Sequence, residues 1–387
     1  MPQPLDTDVL IAGGGIAGLW LQARLQRLGY RSLLVERDCL GGGQTGKSQG
    51  IIHGGIKYAL HGALSGASEA IAAMPERWRR ALAGEGELDL RGVRLLSPAH
   101  YLWAPATLGG RLTGFFASRA LRGRVDPVTG AERPGPLQHP DCQGQVYRLA
   151  ELVLDVPGLL AHLARQLEPA LLAARDLHPV YQAGRLAGLQ ADGRTIHARC
   201  TVLCAGAGNA GLLAQLGLQQ PAMQRRPLQM VMLQAPALQP LYVHCLGHGP
   251  KPRLTITSHP APDGRLVWYL GGELAEAAGV DREPAAQIAA ARQELQRLLP
   301  WLSLEQARWA TLRVDRAEPA QAGLARPEQA FVSAPQNGLL VGWPTKLALA
   351  PDFADRAITA LQQMKIRPGT GPAWPGLPRP PLARPFI

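Results

Sequence analysis

Val9-Leu10-Ile11-Ala12 is a short unbroken apolar run, the pattern of a strand buried on both faces. Leu21, Leu25 and Leu28 then recur at helical spacing, and Gly29 stops the helix they predict. Ser32 to Glu36 reads as a second strand. The first forty residues are therefore strand, Gly-rich turn, helix, strand. A similar segment lies downstream. Asp155-Val156-Pro157 has the form of a helix start, with Asp155 as cap and Pro157 in the first turn, and the helix runs to about Leu167. Short strands follow at His178 to Gln182, Arg185 to Ala191 and Thr195 to Ala198, with a hairpin turn at Asp192-Gly193. Cys200 to Ala205 is another buried strand, ending in Gly206-Ala207-Gly208. A third segment pairs a strand at Gly338 to Gly342 with a helix from Asp352 to Met364.

These pieces read as one discontinuous α/β domain of Rossmann type, made of residues 1–75, 149–219 and 336–366. Residues 76–148 and 220–335 hold most of the aromatics and strand-like runs such as Arg253 to Thr257 and Leu266 to Leu270. They predict an inserted mixed β-sheet domain for substrate, giving an α+β protein overall. Residues 367–387 are Pro-rich, with seven prolines from 368 to 385, and predict an extended or disordered arm.

Composition changes this picture little. The 387 residues are 46% hydrophobic, and no apolar run reaches the eighteen residues of a membrane-spanning helix. The N-terminus runs into a strand without a charged and then apolar leader, so a cytoplasmic protein is expected. The charge is +11, from 40 Lys and Arg against 29 Asp and Glu. The surplus is mostly scattered Arg, so no nucleic-acid partner is expected. The basic surface and Pro-rich arm leave open a peripheral contact with an anionic inner membrane face. Five cysteines at 39, 142, 200, 204 and 245 include no C-x-x-C pair, so neither a zinc site nor a disulfide framework is expected, and no metal ligand is assigned.

The chemistry begins at Gly13-Gly14-Gly15-Ile16-Ala17-Gly18, which fits G-x-G-x-x-G between a buried strand and an amphipathic helix. Gly13 permits the tight turn and Gly15 lets backbone approach a pyrophosphate. Ile16 and Ala17 open the helix, whose N-terminus favours phosphate, and Gly18 lets that helix pack closely. Glu36, followed by Arg37, ends the second strand where an acid accepts hydrogen bonds from a ribose diol, which disfavours a 2′-phosphate. The Gly-, Thr- and Ser-rich stretch from Gly41 to Tyr58 offers donors for a second length of cofactor, as an extended FAD requires.

That stretch carries a resemblance. Ser48 to Tyr58 fits S-x-x-x-I-H-G-G-x-(K/R)-Y, which is similar to the superfamily of glycerol-3-phosphate dehydrogenases and D-amino-acid oxidases, with 2-hydroxyglutarate oxidases among them. Asp155 to Pro157, Val202 to Gly208, and Gly338 to Lys346 resemble further family segments. The resemblance implies FAD as cofactor. It implies that Gly13, Gly15, Gly18 and Glu36 bind the ADP half, and that Thr45, Lys47 and Ser48 line the pyrophosphate and ribityl region. Val180 would contact adenine through its backbone, Ala205 and Gly206 would lie beside the cofactor, and Thr345, Lys346 and Leu347 would approach the pyrimidine end of the flavin.

The same resemblance places His53 against the flavin, to orient substrate, act as base or carry a covalent link. Arg313 resembles the family's arginine for an anionic substrate; here Val314-Asp315 follows it where the family commonly has proline. Lys57 stands where the glycerol-phosphate enzymes commonly have arginine. The activity implied is oxidation of a small, anionic substrate, a 2-hydroxy acid or a glycerol-3-phosphate-like polyol phosphate, by hydride transfer to flavin N5. An amino-acid or amine oxidase of the same superfamily and a flavin domain acting in tRNA modification are the alternatives. Oxygen and quinone are both open as electron acceptor.

Overall fold

The computed structural model describes residues 3–55, 70–106, 125–249, 251–276, 278–321, 329–371, 374 and 376–384. The chain forms β1 (Leu5–Ala12), α1 (Ile16–Arg27), β2 (Ser32–Glu36) and the two-residue β3 (Ile51–Ile52). After α2 (Met74–Ala83) come β4 (Leu95–Ser97), β5 (His100–Ala104), β6 (Val125–Val128), β7 (Gln145–Leu149) and β8 (Leu152–Leu154). Then follow α3 (Val156–Leu167), β9 (Leu171–Ala173), β10 (Leu177–Gln182), β11 (Arg185–Ala191), β12 (Arg194–Leu203) and α4 (Asn209–Gln215). The rest comprises β13 (Met223–Gln234), β14 (Val243–Cys245), β15 (Leu254–Pro260), β16 (Leu266–Gly271), α5 (Ala278–Asp281), α6 (Pro284–Leu298), β17 (Arg308–Pro319), β18 (Phe331–Gln336), β19 (Leu339–Trp343) and α7 (Ala350–Gln363).

The expected α/β architecture is present. Strands run parallel in the order β19–β12–β1–β2–β9, with β18 antiparallel on β19 and the β10–β11 hairpin on the first half of β12. The apolar run of β1 is explained by its two covered faces. Val9 and Ile11 pack with Val202 and Leu340 against α1, α3 and α7, whereas Leu10 and Ala12 face Leu203, Val341 and Trp343. The two strands read separately at Thr195 and Cys200 are one continuous strand, β12. Trp78 of α2 packs against Trp20 of α1, ring centroids 4.5 Å apart and planes tilted by 51°, and belongs to this core, although residue 78 falls in the span expected for the inserted domain. Replacing a fully buried tryptophan of this kind by alanine costs about 3–5 kcal/mol.

The inserted segments build a second sheet in the order β17–β13–β16–β15–β14–β5–β7–β6. It is mixed, because β14 runs parallel to β5 while the other pairs are antiparallel. Helix α6 covers it through Ala291, Leu295 and Leu298. A small sheet, β3–β8–β4, ties the Gly-rich loop to the link after β7. Among the described residues, no helix is long and apolar enough to cross a membrane.

The Pro-rich arm is extended but pinned. Leu40 donates to Pro381 and accepts from Ala383, Ala173 donates to Pro378, and the Arg31 guanidinium lies 4.3 Å over the Trp374 ring. Proline cannot donate to a ladder, yet its carbonyls accept, so a Pro-rich strand can be stitched to an edge.

Candidate functional site

A cavity of about 1020 Å3 runs from the end of β2 to the inserted sheet. At its first end the wall is backbone. Gly13 has φ +119, and a Cβ there would sit 2.6 Å from the Ala205 Cα, so the turn admits only glycine. A Cβ on Gly18 would lie 2.0 Å from the Gly13 carbonyl oxygen. That approach seats α1 on the sheet. The N-cap of α1 is Gly15, without a side-chain cap and without an acid in the first turn. The Thr45 hydroxyl accepts from Ile16 N at 3.1 Å. The Glu36 carboxylate accepts from Gly14 N at 2.6 Å and Asp38 N at 2.9 Å, so one side chain shapes both flanking turns. Burial first, then the Glu36 and Asp38 carboxylates, pushes the Cys39 thiol up, which keeps it protonated.

Further along, the wall changes to side chains. His53 follows β3, and its Nδ1 lies 3.2 Å from Oε2 of Glu151, a carboxylate only 1% exposed. Gly54 N donates to the other oxygen at 2.8 Å. His244 of β14 stacks on His53 with ring centroids 5.9 Å apart, and its Nδ1 is 2.9 Å from Thr255 Oγ1. Gln49 reaches across to Thr257 Oγ1 and the Tyr269 carbonyl. Lys251 and Arg316 both approach Glu276, at 2.5 and 3.8 Å. On the opposite side Thr345 holds φ +63, a conformation costly for a β-branched residue, and lines the cavity with Lys346 and Leu347.

A dinucleotide cofactor suits these walls. The glycine cradle, a helix N-terminus with no acid in its first turn and the buried Ser48 Oγ, which has no hydrogen-bond partner among the described residues, are what a phosphate-bearing ligand requires. The volume is at the upper end for small-molecule sites, leaving room for a substrate beside a long cofactor.

Most sequence-predicted residues meet here: Gly13, Gly15, Ile16, Ala17, Glu36, Arg37, Thr45, Lys47, Ser48, His53, Ala205, Gly206, Thr345, Lys346 and Leu347 all line the one cavity. Gly18 lies behind the wall, in its packing role. Two expectations are corrected. Val180 is outside the lining, which reaches only Arg175 and Leu177. Three residues along a strand are about 10 Å, so Val180 is carried past the cavity. Arg313 is turned away, donating to the Val280 carbonyl at 2.9 Å, while Val314, Arg316 and Glu318 of the same strand line the cavity. Asp315 lines it as well, so it is the bond to Val280, rather than strand alternation, that takes the Arg313 side chain from the wall. Lys57 lies outside the described residues. Trp268 of β16 is fully buried core and donates to the Gln239 carbonyl.

Sequence reading missed Glu151, His244, Thr255 and Arg316. No local motif marks them; only the pairing of β3 with β8 and the order of the inserted sheet bring them to His53.

The family model for FAD-dependent oxidoreductases of the DAO type matches residues 8–343. A curated relative from Pseudomonas aeruginosa, an FAD-dependent oxidoreductase by name, is 63% identical over 385 residues, covering 100% of this chain and 98% of its own length. The crystal structure of the FAD-dependent oxidoreductase of that name superposes with a TM-score of 0.89 at 57% identity, covering 100% and 98% of the two chains. Glycine oxidase from Geobacillus kaustophilus, at 20% identity and a TM-score of 0.67 over 93% and 95% of the chains, shares the fold. An anaerobic glycerol-3-phosphate dehydrogenase chain of Escherichia coli is 39% identical over 55 residues, 14% of this chain and 10% of its own. With the matched model spanning the Gly-rich turn, the cavity and the inserted sheet, this chain belongs to the DAO family of FAD-dependent oxidoreductases, with FAD as its cofactor.

Proposed function

We propose that the protein oxidises a small anionic hydroxy compound, a 2-hydroxy acid or polyol phosphate, with His53 as the base. The observation that carries this reading is the buried Glu151 carboxylate 3.2 Å from His53 Nδ1. A carboxylate there favours the tautomer with a proton on Nδ1, so that Nε2 accepts the next proton. An alcohol needs such a base, because its hydroxyl proton does not leave unaided as the C–H bond breaks. A neutral amine, with its own lone pair, needs none. Arg316, Lys251 and Lys346 line the same cavity and outnumber the Glu276 carboxylate that Arg316 and Lys251 approach, which suits a carboxylate or phosphate.

On this reading Gly13, Gly15, Ile16 and Ala17 hold the pyrophosphate and Glu36 the adenosine ribose. Thr45 fixes the turn by capping α1, and Ser48 supplies its hydroxyl to the cofactor. Thr345, Lys346 and Leu347 meet the pyrimidine end of the flavin. FAD, when bound, supplies the hydride acceptor.

The test is anaerobic bleaching of the purified yellow protein with a panel of 2-hydroxy acids, glycerol phosphate and amino acids. Bleaching by a hydroxy acid or glycerol phosphate is expected. The 55-residue match to a glycerol-3-phosphate dehydrogenase chain supports including the phosphate. A second reading, oxidation of an amino acid or secondary amine, is favoured by the structural neighbours, which by name include glycine oxidase and iminodiacetate oxidase. Bleaching by amines alone would decide for it.

A further inference from the structure

The fold brings together three donor side chains whose positions in the sequence gave no sign of a metal site. His53 follows β3, Glu151 lies in the link between β7 and β8, and His244 is the middle residue of β14. Their donor atoms all lie within 4.8 Å of one another; two bonds to one ion span at most about 4.2 Å, so side-chain shifts of up to roughly 0.6 Å bring all three onto it. Glu151 is 1% and His53 16% exposed, and His244 is buried.

Two distances decide whether these groups could share one ion. In a tetrahedral site with bonds of about 2.0–2.1 Å, neighbouring ligand atoms stand roughly 3.3 Å apart. His53 Nδ1 and Glu151 Oε2 are 3.2 Å apart. An imidazole bound through one nitrogen puts its ring centre about 3.2 Å from the ion, so two such rings lie roughly 5.2 Å apart at a tetrahedral angle and at most about 6.4 Å apart in a widened one. The ring centroids of His53 and His244 are 5.9 Å apart. The remaining donor atoms are oriented from outside. Gly54 N holds Glu151 Oε1 at 2.8 Å, which presents Oε2, and Thr255 Oγ1 lies 2.9 Å from His244 Nδ1, which assigns ligation to Nε2. Metal-binding histidines ordinarily hold their second nitrogen in a bond of this kind.

We propose that His53, Glu151 and His244 form a binding site for a divalent cation of the zinc class. Two imidazoles and one carboxylate select zinc, cobalt, nickel or ferrous iron over magnesium or calcium, which prefer all-oxygen sites. With three protein ligands, a fourth position is left toward the cavity that His53 and His244 line. The ion takes the place of the proton on His53 Nδ1 and its charge makes Nε2 a poorer base, so the ion is a reversible inhibitor. That consequence rests on His53 being the base; the site itself does not.

The experiment uses the FAD-loaded protein, freed of metals with a chelator, dialysed and titrated with zinc chloride by calorimetry. One ion per chain at micromolar affinity or tighter is expected, undiminished by excess magnesium. His244→Ala and Glu151→Gln are each expected to weaken binding at least tenfold, with the flavin spectrum confirming that FAD is retained. Absence of saturable binding, or binding unchanged in His244→Ala, overturns the site. Should Glu151→Gln fail to fold, His244→Ala carries the test. Zinc that binds stoichiometrically yet leaves substrate bleaching intact upholds the site and counts against His53 as the base.

Discussion

The two ends of the cavity are built in opposite ways. The end proposed for the nucleotide is made of backbone and of residues close in sequence: Gly13 to Gly18, Glu36 and Thr45. The far end is made of side chains delivered by remote segments, with His53, Glu151, His244 and Arg316 coming from four different parts of the chain. Glycine cradles bind what every dinucleotide shares, so their pattern is short and general. A substrate wall answers to one molecule, and its residues need only meet in space.

The sharpest way to break the comparison is at Gly13. Gly13→Ala puts a Cβ 2.6 Å from the Ala205 backbone at a φ of +119, and loss of FAD together with about 3 kcal/mol or more of stability is expected. Thermal unfolding and the flavin absorbance after gel filtration measure both. A stable, yellow variant would mean that the turn is not held by its backbone.

His53→Gln addresses the other end. It is expected to lower the rate of anaerobic flavin reduction by about 100-fold or more while FAD content stays at one per chain. Equal losses of FAD and rate would erase the distinction between the two ends.

The inserted sheet also carries a pH signature. Burial lowers the pKa of His259 from 6.5 to about 4, so the folded state resists a proton that the unfolded chain accepts. Its contribution is therefore whole above pH 6.5 and lost as the pH falls to 4, by up to about 3 kcal/mol. Denaturant melts at both pH values should show this slope, and His259→Gln should flatten it.

The smallest effects separate two arginines three residues apart. Arg316→Ala, at the wall, is expected to raise KM for an anionic substrate by about tenfold. Arg313→Ala, which faces Val280, is expected to change KM by less than about twofold. Steady-state kinetics that reverse this order would return the anion to Arg313.

Legibility follows the same division. The apolar run at Val9 to Ala12, the helix spacing of Leu21 and Leu25 and the hairpin at Asp192-Gly193 are local patterns, and the structure keeps all three; Leu28, expected on the same helix face, is instead its exposed C-cap. The composition of the Pro-rich arm left it extended or disordered and gave no sign of its anchoring, because hydrogen bonds from Leu40 and Ala173 to proline carbonyls leave no trace in composition. The turn of the Arg313 side chain to the Val280 carbonyl was equally hidden, because that contact is made by a segment 33 residues away. Glu151 and His244 were invisible because nothing within a window of either residue points to the other.

The Gly-rich turn has a further consequence in the order of synthesis. It comes first in the chain, but the strand beside it arrives late: Gly13 meets Cys204 across 191 residues, and Leu340 of β19 later still. At roughly 5–20 residues per second, a growing chain carries the finished motif for some 10–40 seconds before β12 is there to pair with β1. The most recognisable part of the protein is thus among the first made and among the last supported, and a chain stopped between Glu36 and Arg194 would carry the signature without the sheet that makes it a site.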